Sequence, residues 1–217
     1  MPLIKKLYIL GTMENSQPHT FPNDPISYLA PTWDELNHLA FIVSQQIIQQ
    51  KQDYNRIVTI AKGGWPMTRS LTDFLSIQEI ASIGAKFYCG VNQRLPTPDI
   101  YQDIPIKVKG EKLLLFDDVA DTGESLIFTK KYLHDKGARL IDTATLFYKP
   151  HSKLKPDFFG AQTHSWIIFP FEQFETMKLL NKKWSKQGLT QKEIFSRFTQ
   201  LNFRSQFIEA ANKDFAK

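Results

Sequence analysis

The chain holds a single cysteine, Cys89, in 217 residues, so no disulfide can form within it. A lone thiol fits a reducing compartment, and the cytoplasm is the expected location. No apolar run approaches the roughly 18 residues that a membrane helix needs. Met1 to Leu10 carries two lysines but no apolar stretch of signal-peptide length, and Glu14, Asn15 and Gln17 follow at once; no signal peptide is read. Gly-Lys-Ser, Gly-Lys-Thr and Gly-x-Gly-x-x-Gly are all missing, which argues against P-loop and dinucleotide chemistry. There is no internal repeat and no low-complexity segment. Basic charge is also scarce where a nucleic-acid binder would need it. The formal net charge is +5, yet residues 1–172 hold 18 basic and 18 acidic side chains, and residues 173–217 hold 9 and 4. A neutral body with a basic tail argues against nucleic acid as partner; the tail reads as solvated helix faces.

The periodicity that remains is that of an α/β protein. Residues 1–31 read as an extended arm. Thr32-Trp33-Asp34-Glu35 is a capping box, followed by Leu36, Leu39, Ala40, Val43 and Ile47 at helical spacing, to about Gln50. Ile57–Ala61 is a β-branched buried strand ending in the turn Lys62-Gly63-Gly64, with a helix over Met67–Ile77. Lys86–Tyr88 reads as a strand, and Gly90–Gly110, with Pro96, Pro98 and Pro105, as a long loop. Lys112–Phe116, Leu140–Tyr148 and Ser165–Phe169 read as strands, and Ser125–Lys136 as a helix closed by Gly137. Strand and helix alternate, so the sheet should be mainly parallel with flanking helices. In such sheets ligands bind at the carboxyl ends of the strands. After Phe171 three helical patterns follow, one opened by a second capping box, Thr190-Gln191-Lys192-Glu193. Their aromatics read as core or dimer contacts rather than a stacking platform.

The strand Leu113-Leu114-Leu115-Phe116 runs directly into Asp117 and Asp118, and then into Asp121-Thr122-Gly123-Glu124-Ser125. A surface turn would explain one acid and Thr122, but not two acids straight after four apolar residues. Carboxylates leaving water need a cation, a diol or a proton to transfer. Thr122-Gly123-Glu124-Ser125 at a helix start offers hydroxyls and free backbone N–H groups, a cradle for phosphate. Acids beside such a cradle suggest a sugar phosphate.

This stretch resembles the 5-phosphoribosyl-1-pyrophosphate (PRPP) signature of the type I phosphoribosyltransferases. The resemblance implies that Asp117 and Asp118 take the ribose hydroxyls, with Asp118 also near Mg²⁺, and that residues 121–125 wrap the 5′-phosphate. An Asp at the position of Asp121 is similar to the 6-oxopurine enzymes, where it would act as the base for the purine. Lys62, Gly63 and Gly64 resemble the pyrophosphate loop, which in the family often holds a non-proline cis peptide, here between Ala61 and Lys62. Tyr148-Lys149-Pro150 and Trp166 to Glu172 are similar to the purine hood of xanthine–guanine phosphoribosyltransferases. Lys149 would then donate to the purine O6, Trp166 would stack on the ring, and the Ile167 backbone would read its edge; Phe169 reads as core. Residues from about 88 to 110 match the family's lid, where Asn92-Gln93-Arg94 could reach the pyrophosphate. The implied organisation is an arm (1–31), a transferase domain (32–172, with hood from about 149) and a helical extension (173–217). The implied reaction joins PRPP to guanine, xanthine or hypoxanthine, in a homodimer or larger oligomer. The alternative is a regulator that binds PRPP or a nucleotide on the same fold without catalysis.

Overall fold

A computed structural model of the protein describes residues 16–88 and 94–215. Leu36–Thr163 make one compact unit, while residues 16–35 and 164–215 belong to a second. That division differs from the three consecutive segments expected: residues 16–31 share a unit with the C-terminal helices.

The first unit is built on a six-stranded sheet in the order β5-β4-β3-β6-β7-β8. Its strands are β3 (Arg56–Ala61), β4 (Ile80–Tyr88), β5 (Arg94–Gln102), β6 (Lys112–Ala120), β7 (Leu140–Tyr148) and β8 (Phe158–Gln162). All neighbours pair in parallel except β4 and β5. The helices of this unit are α1 (Trp33–Gln49), α2 (Trp65–Leu75) and α3 (Glu124–Asp135). Central strands are apolar on both faces, as two covered faces require. Val58, Ile83, Leu113, Leu115 and Leu133 are each fully buried or nearly so, worth about 1.5–3 kcal/mol apiece. The α1 capping box forms: Thr32 N donates to Glu35 Oε2 at 2.8 Å, and Glu35 N to Thr32 Oγ1 at 3.2 Å. Gly137 closes α3 from the left-handed region at φ 89°.

Three expectations are corrected. The segment read as a loop from Gly90 contains β5, antiparallel to β4. An edge strand pairs on one side only, which is how it tolerates Pro96 and Pro98. β6 does not stop at Phe116; its ladder with β7 continues to Ala120 opposite Tyr148, so Asp117 and Asp118 lie inside the strand. β8 has no counterpart in the sequence reading, because Phe-Phe-Gly-Ala-Gln is short and does not alternate.

In the second unit, β1 (His19–Thr20) runs antiparallel to β2 (Ser27–Leu29), and β2 runs parallel to β9 (Trp166–Ile167). The strand expected over Ser165–Phe169 is therefore shorter and belongs to a separate three-stranded sheet. Helices α4 (Gln173–Lys186), α5 (Gln191–Gln200) and α6 (Ser205–Phe215) follow. Phe21, Tyr28, Ile168, Met177, Trp184 and Phe198 share one core. Phe169, stacked on Phe171 at 5.0 Å, is buried as expected. The buried Asp24 carboxylate accepts from Tyr28 Oη at 2.7 Å, Trp184 Nε1 at 2.7 Å and Lys183 Nζ at 2.7 Å. Among the described residues no helix is long and apolar enough to cross a membrane.

Candidate active site

The carboxyl ends of β3, β6 and β7 carry the candidate residues of the first unit. β3 ends at Ala61, and the Ala61–Lys62 peptide is cis, at the bond the resemblance singled out. The chain then turns, with Gly64 N donating to Ile60 O at 3.1 Å, and enters α2 at Trp65. A side-chain carbon on Gly63 would overlap the Asp118 carboxylate. Glycine there is what lets the loop backbone lie against the acid. Lys62 is exposed beside this contact.

Asp117 is 8% exposed, and its Oδ1 accepts from the Asp118 N–H at 3.0 Å. Burial pushes the Asp117 carboxyl well above the usual carboxylate range, and repulsion from Asp118 adds to it. Burial raises Asp118 as well. Among the described residues neither acid makes an ion pair. Asp117 is buried and Asp118 half-buried, and two adjacent carboxylates are hard oxygen donors that fit Mg²⁺ in donor type.

Beyond β6 the chain turns through Asp121, Thr122 and Gly123. Gly123 has φ 78°, and its missing side chain leaves room for Ser152 Oγ and the Leu154 amide. Gly123 has no side chain to cap α3; Glu124 N makes a long bond, 3.4 Å, to Thr122 Oγ1, and a helix start of this kind is suited to an anion. Glu124 pairs with Lys153 at 2.7 Å, and Ser125 is half-buried in the first turn of α3.

Lys149 follows β7, and its N–H donates to Ala120 O at 3.0 Å. This bond ties the ends of the two strands together. The Lys149 ammonium, 12% exposed, lies 3.2 Å from Asp121 Oδ1. The structure thus joins a carboxylate and an ammonium that stand far apart in the sequence. His151 Nε2 lies 3.0 Å from the same oxygen. Sequence reasoning passed over His151, which no local pattern marks.

Trp166 and Ile167 stand in the second unit as β9. Trp166 is half-buried, with Tyr28 against its ring at 5.7 Å; Ile167 is buried and pairs with Leu29. Asn92, Gln93 and Cys89 lie outside the described residues, as do residues 1–15. A groove of about 480 Å³ between Ile47, Tyr54 and Ile77 holds none of the candidate residues.

Residues 28–173 match the family model of the phosphoribosyl transferase domain. The chain is 24% identical over 149 residues to the xanthine-guanine phosphoribosyltransferase of Gluconobacter oxydans, covering 68% of this chain and 86% of that protein. It is 24% identical over 151 residues to the hypoxanthine-guanine phosphoribosyltransferase of Lactococcus lactis, covering 58% of this chain and 78% of the relative. The purine phosphoribosyltransferase structure from Pyrococcus horikoshii superposes with a TM-score of 0.59 at 28% identity, covering 66% of this chain and 93% of that one. With the model matched across the sheet and its acid-bearing strand, the chain belongs to the phosphoribosyltransferase domain family.

Proposed function

We propose that the protein transfers the 5-phosphoribosyl group of PRPP to a 6-oxopurine, giving the nucleoside 5′-monophosphate and pyrophosphate, as in purine salvage. The observation that carries this is the joining of Asp121 and Lys149 by the turn that follows the adjacent Asp117 and Asp118. Asp117 and Asp118 would hold the ribose hydroxyls. Residues 121–125 would take the 5′-phosphate on the N–H groups of the turn and helix start. Lys62 and the Gly63–Gly64 backbone would stabilise the departing pyrophosphate. Asp121 would accept the purine proton, and Lys149 would donate to O6. Trp166 and the Ile167 backbone would bind the base. The names of the two relatives, xanthine-guanine and hypoxanthine-guanine enzymes, support this substrate class. Mg²⁺, when bound, would neutralise pyrophosphate charge, with Asp118 as its protein ligand.

The test is an assay of guanine, xanthine and hypoxanthine with PRPP and Mg²⁺. Nucleotide formation with at least one base is expected. Tight PRPP binding without turnover on any of the three would overturn the enzyme and favour a regulator. The cytoplasm and a homo-oligomeric state remain part of this proposal.

A further inference from the structure

The loop after β7 folds back over the turn after β6. Lys153 N donates to Thr122 O at 3.0 Å, and Ser152 N to Lys149 O at 2.9 Å. The Lys153 ammonium pairs with Glu124, and Ser152 and Leu154 occupy the space beside Gly123. His151 stands within this braced loop. Its ring is 58% exposed and Asp121 52% exposed, so neither is held by burial. Asp121 Oδ1 receives both His151 Nε2 at 3.0 Å and Lys149 Nζ at 3.2 Å. Among the described residues Oδ2 has no partner. One oxygen of the carboxylate is anchored and the other is open.

We propose that His151 is a positioning residue for Asp121. Its ring N–H holds Oδ1, so that Oδ2 stays presented to the purine as proton acceptor. This rests on the transfer to a purine proposed above. In that reaction Lys149 turns part of its hydrogen bonding from Asp121 to the purine O6. A half-exposed carboxylate released by its lysine would rotate freely about Cβ–Cγ. The His151 bond is independent of O6 and keeps the orientation while the N–C1 bond forms and the C1–O bond to pyrophosphate breaks. A correctly aimed base matters because proton transfer needs hydrogen-bond reach and alignment. The charged groups on this cluster are Lys149 and Asp121, with Lys153 already paired to Glu124.

Three proteins test the idea: wild type, His151→Ala and His151→Gln, whose amide N–H can replace the ring donor. Single-turnover rates are measured by rapid quench with purine and PRPP–Mg²⁺ saturating, and PRPP binding by calorimetry. The expected result is a chemical step slowed about tenfold in His151→Ala, recovery to within about threefold in His151→Gln, and PRPP affinity unchanged in both. A merely structural role would weaken PRPP binding, because the brace holds the phosphate turn. Three outcomes overturn the proposal while the enzyme reading stands: weakened PRPP binding in His151→Ala, a His151→Ala as fast as wild type, or a His151→Gln as slow as His151→Ala. A wild type that transfers to no purine overturns the reading and this inference together.

Discussion

A methyl group at residue 63 would sit on the Asp118 carboxylate. Gly63→Ala should therefore push Asp118 aside, at a cost of about 1–3 kcal/mol, and weaken PRPP–Mg²⁺ binding about tenfold or more by calorimetry. Asp118→Asn separates stability from binding. Removing one of two adjacent carboxyls relieves the repulsion on Asp117, so the ligand-free variant should melt higher at pH 7 than wild type, by about 1 kcal/mol equivalent. Its PRPP–Mg²⁺ affinity should fall in the same preparation. Asp121→Ala should cut turnover about 100-fold or more while PRPP binding holds; steady-state turnover equal to wild type would remove Asp121 from its role. The three acids were legible in the sequence because they follow an apolar run within five residues. His151 was not, because a histidine after a lysine and a proline has no pattern until the loop folds over Asp121.

β2 and α4 are joined by Asp24, a residue the sequence reading left inside a featureless arm. Burial alone would raise its carboxyl, but the donors Lys183, Trp184 and Tyr28 outweigh burial and hold it at about 2. A depressed folded-state value stabilises the protein above the unfolded carboxylate range and loses that contribution as pH falls through the folded value. The wild-type advantage over Asp24→Asn should be about 2 kcal/mol at pH 7. It should shrink between about pH 4 and pH 2, read by urea denaturation at each pH. An advantage that stays constant across that window would mean that packing, not charge, makes the link. The element that carries Trp166 was misread for a related reason. β9 is two residues long, and its partner β2 lies far upstream. No local window contains both strands, so neither the pairing nor the separate sheet could be seen in advance. The helices α5 and α4 were easier, since a capping box and a period of three to four residues are local signals; the Thr190 box forms as read.

For the whole molecule, the C-terminal helices are structural partners of the N-terminal segment within one compact unit. Ending the chain after Glu172 would strip Met177, Leu180, Trp184, Ile194 and Phe198 from the core that contains Phe21 and Tyr28. The truncated protein should expose that apolar surface, bind a hydrophobic dye strongly and lose a cooperative melting transition; an unchanged melting curve would contradict this packing. The sequence by itself determined the α/β class, the parallel order implied by alternating strands and helices, and the run of acids that follows four apolar residues. Each of these rests on neighbours a few residues apart, where spacing alone sets which side chains share a face. Tertiary structure alone decided that the acids lie within β6, that Lys149 and His151 meet on one oxygen of Asp121, and that Phe21 and Tyr28 pack with the C-terminal helices. Those contacts join segments distant along the chain, and only the closing of the sheet and the burial of two separate cores bring them within hydrogen-bond reach.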